Sequence, residues 1–227
     1  MKKLFIVKMS IVAMAATCII GCSSMNTSTA PAVSPEGMLL KKSTYSTTAY
    51  LKAGVDFADY NQIHILPSKV AFKKNWQRSY NRQNRIGSQR LTDEDVVNIK
   101  ADVAKLFDET FSAELSKSTL FSIVDHAGIQ TLLLKPMVID LDINAPDVNG
   151  IGNTKTYVEE TGEATLYLEI YDSVSGEILA RIIDEEIIGD NSYFGWANKI
   201  KNRIDTKRVI RKWAKVLRTN FDKAHTK

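Results

Sequence analysis

Apolar residues recur with different periods along this chain, and each period predicts a different element. Leu4 to Ile20 is an apolar run broken by Lys8. It is short for a membrane span, and its positive start, Lys2-Lys3, and small-residue end are those of a signal peptide. Gln62-Ile63-His64-Ile65-Leu66, closed by Pro67, has the length and composition of a buried strand. Between Asp93 and Leu115 the period changes to steps of three and four: Val96, Ile99, Val103, Phe107, Phe111 and Leu115 make one helical stripe. Thr92 before Asp93-Glu94-Asp95 supplies an N-cap, with acids at the positive end of the helix dipole.

The second half returns to a period of two. Leu120 to Val124 reads as a strand, and Asp125-His126-Ala127-Gly128 as the turn after it. Gln130 to Ile143 alternates through Leu133, Met137, Ile139, Leu141 and Ile143. Tyr157 to Tyr171 alternates more cleanly, with Ala164, Leu166, Leu168 and Ile170 facing in and Thr165, Tyr167, Glu169 and Tyr171 facing out. Asp172-Ser173-Val174-Ser175-Gly176 predicts a hairpin loop into a strand over 177–188. A basic helix closes the chain, with Ile210, Trp213, Leu217 and Phe221 as its apolar stripe. Strands cluster in the second half, so the expected fold is α+β. It would be a mainly antiparallel sheet of about four or five strands with two amphipathic helices packed on one face.

Charge changes this picture locally. The formal net charge is +4, but Lys2, Lys3 and Lys8 lie in the expected leader. Without them 27 bases face 26 acids, which gives no reason to expect a nucleic-acid partner. From Tyr60 to Thr92 there is no acid and there are seven bases: Lys69, Lys73, Lys74, Arg78, Arg82, Arg85 and Arg90. This segment reads as a long surface connection or irregular helix. Pairing with acidic parts of the same chain accounts for its bases, and anionic lipid headgroups or an envelope protein are the alternative partners. Trp76 and Tyr80 within it read first as packing aromatics.

The two cysteines, Cys18 and Cys22, both lie at the leader, so the domain is expected to hold without disulfides or thiolate metal ligands. Ile19-Ile20-Gly21-Cys22 resembles the lipobox of bacterial lipoproteins. That resemblance implies cleavage after residue 21, diacylglycerol on the Cys22 sulfur and N-acylation of the new terminus. Ser23, where Asp would favour inner-membrane retention, implies the outer membrane. Residues 22–40 would be a lipidated terminus and flexible tether. Its fifteen polar or small residues after Cys22 would span about 20 Å as a coil and about 50 Å straight. Residues 41–227 would form one domain.

The phrases Tyr60-Asn61-Gln62-Ile63-His64-Ile65-Leu66-Pro67, Asp172-Ser173-Val174-Ser175-Gly176-Glu177-Ile178-Leu179-Ala180 and Trp213-Ala214 resemble a family of bacterial lipoproteins. That family is catalogued as domain of unknown function thirty-three-thirteen. The resemblance implies a periplasm-facing lipoprotein of the outer membrane and names no chemistry.

Candidate chemistry is thin. Asp140, Asp142, Asn144 and Asp147 have the look of a calcium loop, but Ala145 and Ile151 stand where an EF-hand needs Gly and Glu. His64, His126 and His225 have no ligand spacing, and Asp125-His126 lacks a nucleophile motif. Gly150-Ile151-Gly152 lacks the third glycine of a phosphate loop. No catalytic residue, cofactor or metal is expected. The leading expectation is a non-enzymatic binding or accessory module. An envelope hydrolase would need several of Asp125, Asp140, Asp142 and Glu169 gathered in a deep pocket, and a lipid or lipopolysaccharide carrier would need an apolar cavity.

Overall fold

The structure is a computed structural model that describes residues 30–84, 90–144, 146, 156–158, 162–189, 195–197 and 199–226. The expected signal peptide, Cys22, Asp147 and the Gly150–Gly152 loop lie outside the described residues. Among the described residues ten strands run β1 Leu39–Ser43, β2 Thr47–Leu51, β3 Gln62–Ile65, β4 Lys69–Phe72, β5 Ser122–Val124, β6 Thr131–Ile143, β7 Thr156–Val158, β8 Gly162–Asp172, β9 Ile178–Ile188 and β10 Gly195–Ala197. Three α-helices join them: α1 Trp76–Gln83, α2 Asp93–Leu115 and α3 Lys199–His225.

The fold is α+β, but the sheet departs from the expected one. It has eight strands and is mixed, in the order β1-β2-β9-β8-β6-β3-β5 with β4 also on β6. The strands from β1 to β6 pair antiparallel, whereas β3 and β4 run parallel to β6 and β3 parallel to β5. Parallel neighbours need a crossover, and α1 and α2 supply it between β3 and β5. Sequence patterning missed β1 and β2 because they are held by strand pairing, β1 on β2 and β2 on β9, and not by burial. Among their residues only Tyr50 is buried.

β3 and β4 follow one another along the same side of β6. β3 lies along residues 131–134 of β6 and β4 along residues 137–141. Pro67, which has no N–H to give a ladder, separates them. Next to it the Ser68 N–H donates instead to Asp108 Oδ1 on α2 at 3.0 Å, and the Ser68 hydroxyl to the Ala104 carbonyl at 3.3 Å. The break in the strand thus becomes a fastening to the helix.

α2 and α3 pack on one face. Phe107, Phe111 and Leu115 from α2 and Ile210, Trp213, Leu217 and Phe221 from α3 meet Leu168 and Ile170 of β8 and Leu132, Leu134, Val138 and Leu141 of β6. The predicted inward row of β8 is correct, but that of β6 is inverted over most of its length. Leu132, Leu134 and Val138 are buried there, while Leu133, Met137 and Ile139 are half-exposed on the opposite face. The strand is apolar on both sides, so alternation alone could not choose. An irregularity at Asp140, whose φ is +49°, then swaps the faces, so Leu141 does point into the core. Opposite it, Gly162 passes so close that a β-carbon would stand 2.0 Å from the Asp142 carbonyl oxygen. Glycine alone fits.

The expected N-cap of α2 is a full capping box: Asp95 N–H donates to Thr92 Oγ1 and Thr92 N–H to Asp95 Oδ2. Residues 30–38, part of the stretch expected to be free tether, pack on the sheet. Tyr50 OH donates to the Pro31 carbonyl, Ser34 caps Met38 N–H, and Met38 is buried outside the helix-side core.

Candidate functional site

The open face of the sheet carries a polar network that begins with strand register. Lys135 of β6, Glu169 of β8, Arg181 of β9 and Tyr50 of β2 lie side by side across four strands. Glu169, predicted to face water, is only 8 % exposed. Its Oε1 accepts from Tyr167 OH at 3.0 Å and Arg181 Nη2 at 2.9 Å, and its Oε2 from Tyr171 OH at 2.7 Å; Lys135 Nζ stands at 3.7 Å. Arg181 also grips Glu36 with both Nη atoms at 2.9 Å, a fork-on-fork pair that fastens residues 30–38 to the sheet. Its guanidinium lies 5.6 Å over the Tyr167 ring.

Burial raises the Glu169 pKa, but the hydrogen bonds from Tyr171, Arg181 and Tyr167 outweigh it and leave the carboxyl below its ordinary value. Burial, then the hydrogen bond to Glu169, pushes Tyr171 up to about 12. A carboxylate whose oxygens are already engaged by two hydroxyls and two cations is a weak proton acceptor, so the network's chemistry is cross-strand fastening.

A second feature lies where α2 and α3 overhang the end of the sheet. Ile99, Val103 and Leu106 of α2, Leu141 and Ile143 of β6, Ile188 of β9 and the first turns of α3 enclose a cleft of about 130 Å³. Asp102, Asn202, Arg203 and Thr206 give it a polar margin. This explains why the first half of the α2 stripe is only half-buried: Val96, Ile99 and Val103 extend past the strands that bury Phe107 and Phe111. The volume is close to that of apolar cavities that accept a benzene-sized molecule, roughly 150 Å³.

The carboxylates singled out from sequence do not meet. Asp125 is fully exposed, its pKa lowered by a 2.9 Å contact with His126 Nδ1 in the turn. Asp140 is exposed, Asp142 sits 3.5 Å from Lys73, and Glu169 is held in the network described above. His64 lies opposite Val124 of β5, two residues before His126, while the third histidine is at the end of α3. His225 reaches the Phe221 and Tyr60 carbonyls at 2.8 and 2.9 Å, which ties the end of α3 to the start of β3. Among the described residues no three His, Cys, Asp or Glu side chains stand together to hold a metal, and no helix is long and apolar enough to cross a membrane. Trp76 packs as expected, stacked on Phe72 at 3.9 Å with its indole N–H donating to the Ile143 carbonyl.

The sequence phrases do converge. Tyr60 OH donates to Asp172 Oδ2 at 3.1 Å, and Asp172 Oδ1 accepts the Val174 and Ser175 N–H groups that shape the hairpin. The Ser173 hydroxyl clasps the Gly128 backbone. One end of the sheet is knotted by residues far apart in the chain, and every one of these contacts is internal to the fold.

The described residues form an α+β fold, a mixed sheet with one face under two long helices and residues 30–38 packed on part of the other. The chain belongs to the family described as "Protein of unknown function (DUF3313)", which it matches over residues 38–217. No curated protein matches it. Among solved structures it is similar to the PelC dodecamer from Paraburkholderia phytofirmans at 10 % identity and TM-score 0.34, covering 74 % of this chain and 96 % of that one. It is also similar to the hypothetical protein CT253 from Chlamydia trachomatis, at 10 % identity and TM-score 0.37, covering 71 % and 98 %. A PDZ domain protein from Parabacteroides distasonis matches at 13 % identity and TM-score 0.36, covering 74 % and 35 %.

Proposed function

We propose that this chain is an outer-membrane lipoprotein facing the periplasm, held by lipid on Cys22, and a non-enzymatic binding or accessory module of the cell envelope. The observation that carries this reading is the leader: Lys2-Lys3, the apolar run to Ile20, and Ile19-Ile20-Gly21-Cys22 agree in position and type. Each acyl methylene contributes about 0.8 kcal/mol of membrane affinity, so two or three long chains hold almost permanently. Ser23 after the cysteine supports the outer membrane. The engaged state of Glu169 and the dispersal of Asp125, Asp140 and Asp142 support binding over hydrolysis.

Mass spectrometry of the mature terminus tests the anchor, with a diacylglyceryl, N-acylated Cys22 expected. Cys22→Ser should abolish lipid labelling and membrane attachment; unchanged attachment refutes the reading. The cleft between α2 and α3 favours a second reading, carriage of a small apolar group. Extraction of the purified chain with organic solvent would then release a bound apolar compound, and Val103→Trp, by filling the cleft, would abolish its recovery.

A further inference from the structure

The acid-free basic segment between Tyr60 and Thr92 carries a concavity of its own. Arg78 and Arg82 of α1, with Arg90 beyond it, line an open bowl of about 420 Å³ together with Gln77 and Asn81. None of these three arginines has a carboxylate within ion-pair reach among the described residues, whereas Arg181, Arg208 and Arg218 all do. The expected internal pairing of this segment therefore holds for Lys73, which meets Glu163 and Asp142, and, among the described residues, not for Arg78, Arg82 or Arg90.

The bowl is built on a fixed frame. Trp76 is 6 % exposed and anchors α1 through its stack on Phe72 and its bond to Ile143. On the next face of α1, Asn81 Nδ2 donates to the Leu91 carbonyl at 2.9 Å and its Oδ1 accepts the Leu91 N–H at 2.7 Å. Gln77 Nε2 adds bonds to the same carbonyl at 3.3 Å and to Asp93 Oδ1 at 2.9 Å. Leu91 is 3 % exposed, so this amide clamp pins the backbone beside Arg90 to α1. With both amides engaged in the clamp, the guanidiniums are left as the donors of the bowl. Like charges at i and i+4 on a helix repel, and Arg90 stands near them, so three exposed guanidiniums share one concavity with no carboxylate between them among the described residues.

We propose that Arg78, Arg82 and Arg90 form a receptor for a phosphomonoester-type dianion. Guanidinium forks match phosphate oxygens two at a time, and three of them around one concavity favour a dianion over a singly charged carboxylate. The bowl lies within the volume range of small-ligand sites, roughly 300–1,000 Å³, so it accepts a headgroup as readily as a bare ion. The inference deepens the binding-module reading and rests on it, but not on the Cys22 anchor.

The test uses the full chain in neutral detergent and calorimetric titration at fixed ionic strength, with inorganic phosphate and dihexanoyl phosphatidic acid as probes. Binding of phosphatidic acid alone assigns a lipid headgroup, and equal binding of both assigns phosphate from any source. Either outcome supports the receptor. The Arg78→Gln/Arg82→Gln chain should lose at least about tenfold in affinity. Lys69→Gln/Lys74→Gln, the same charge change at two exposed lysines outside the bowl, should lose none. If the double arginine variant melts early, Arg90→Gln gives the same reading from outside the helix. Absence of binding by both probes, or equal weakening by the lysine pair, overturns the proposal.

Discussion

The two faces of the sheet are stabilised in opposite ways. On the helix side Phe107, Phe111, Leu134 and Leu168 are fully buried, and their contribution is non-directional removal of apolar surface from water. On the open side Leu133, Met137, Ile139 and Ile183 are half-exposed, and charge-assisted bonds from Arg181 hold Glu169 on the neighbouring strand and Glu36 of residues 30–38. Loss of apolar bulk should therefore unfold the molecule, while loss of a charge should loosen only what that charge fastens.

The sharpest break is Phe111→Ala. The ring is 0 % exposed and stacks on Phe107 at 4.8 Å, so its loss should lower the unfolding free energy by about 3–5 kcal/mol in urea denaturation. A cost under a third of that would mean the helix side is not the main source of stability. Next comes Glu169→Leu on the open face, expected to cost about 1.5–3 kcal/mol because Arg181 and two tyrosine hydroxyls lose an ionised acceptor. Glu169→Leu with Arg181→Leu should cost less than the single change, since no half-buried charge is stranded. A double variant worse than the single one would show that Arg181 acts chiefly through Glu36.

The smallest effect concerns pH. Arg181 holds the Glu36 carboxyl down to about 2 from its ordinary 4.5. The unfolded chain therefore takes up this proton first as the solution is acidified. The stabilisation is complete above about pH 4.5 and lost as pH falls through about 2. Glu36→Gln should thus melt earlier than the parent at pH 7, with the gap closing between about pH 5 and about pH 2. A gap that persists at the acid end would locate the effect in packing of residues 30–38 instead of charge.

How far the site was legible follows from the same contrast. Glu169 could be seen to alternate with Tyr167 and Tyr171, but not to be buried, because Arg181 reaches it only through the register of β8 with β9, and Glu36 closes over Arg181 only through the return of residues 30–38. The arginine bowl was visible as an acid-free stretch. That Arg78, Arg82 and Arg90 share one concavity depended on Asn81 and Gln77 gripping Leu91.

Local chemistry was enough for the elements whose signals are contained in a few turns of chain. The N-cap at Thr92, the Asp172 hairpin and the stripe of α3 were written in sequence because each satisfies its own backbone or buries its own face. Tertiary structure alone decided which face of β6 is buried, that β1 and β2 exist, and that β3 and β4 run parallel to β6. Those outcomes depend on partners distant along the chain, and a residue carries no local record of the strand that will lie beside it.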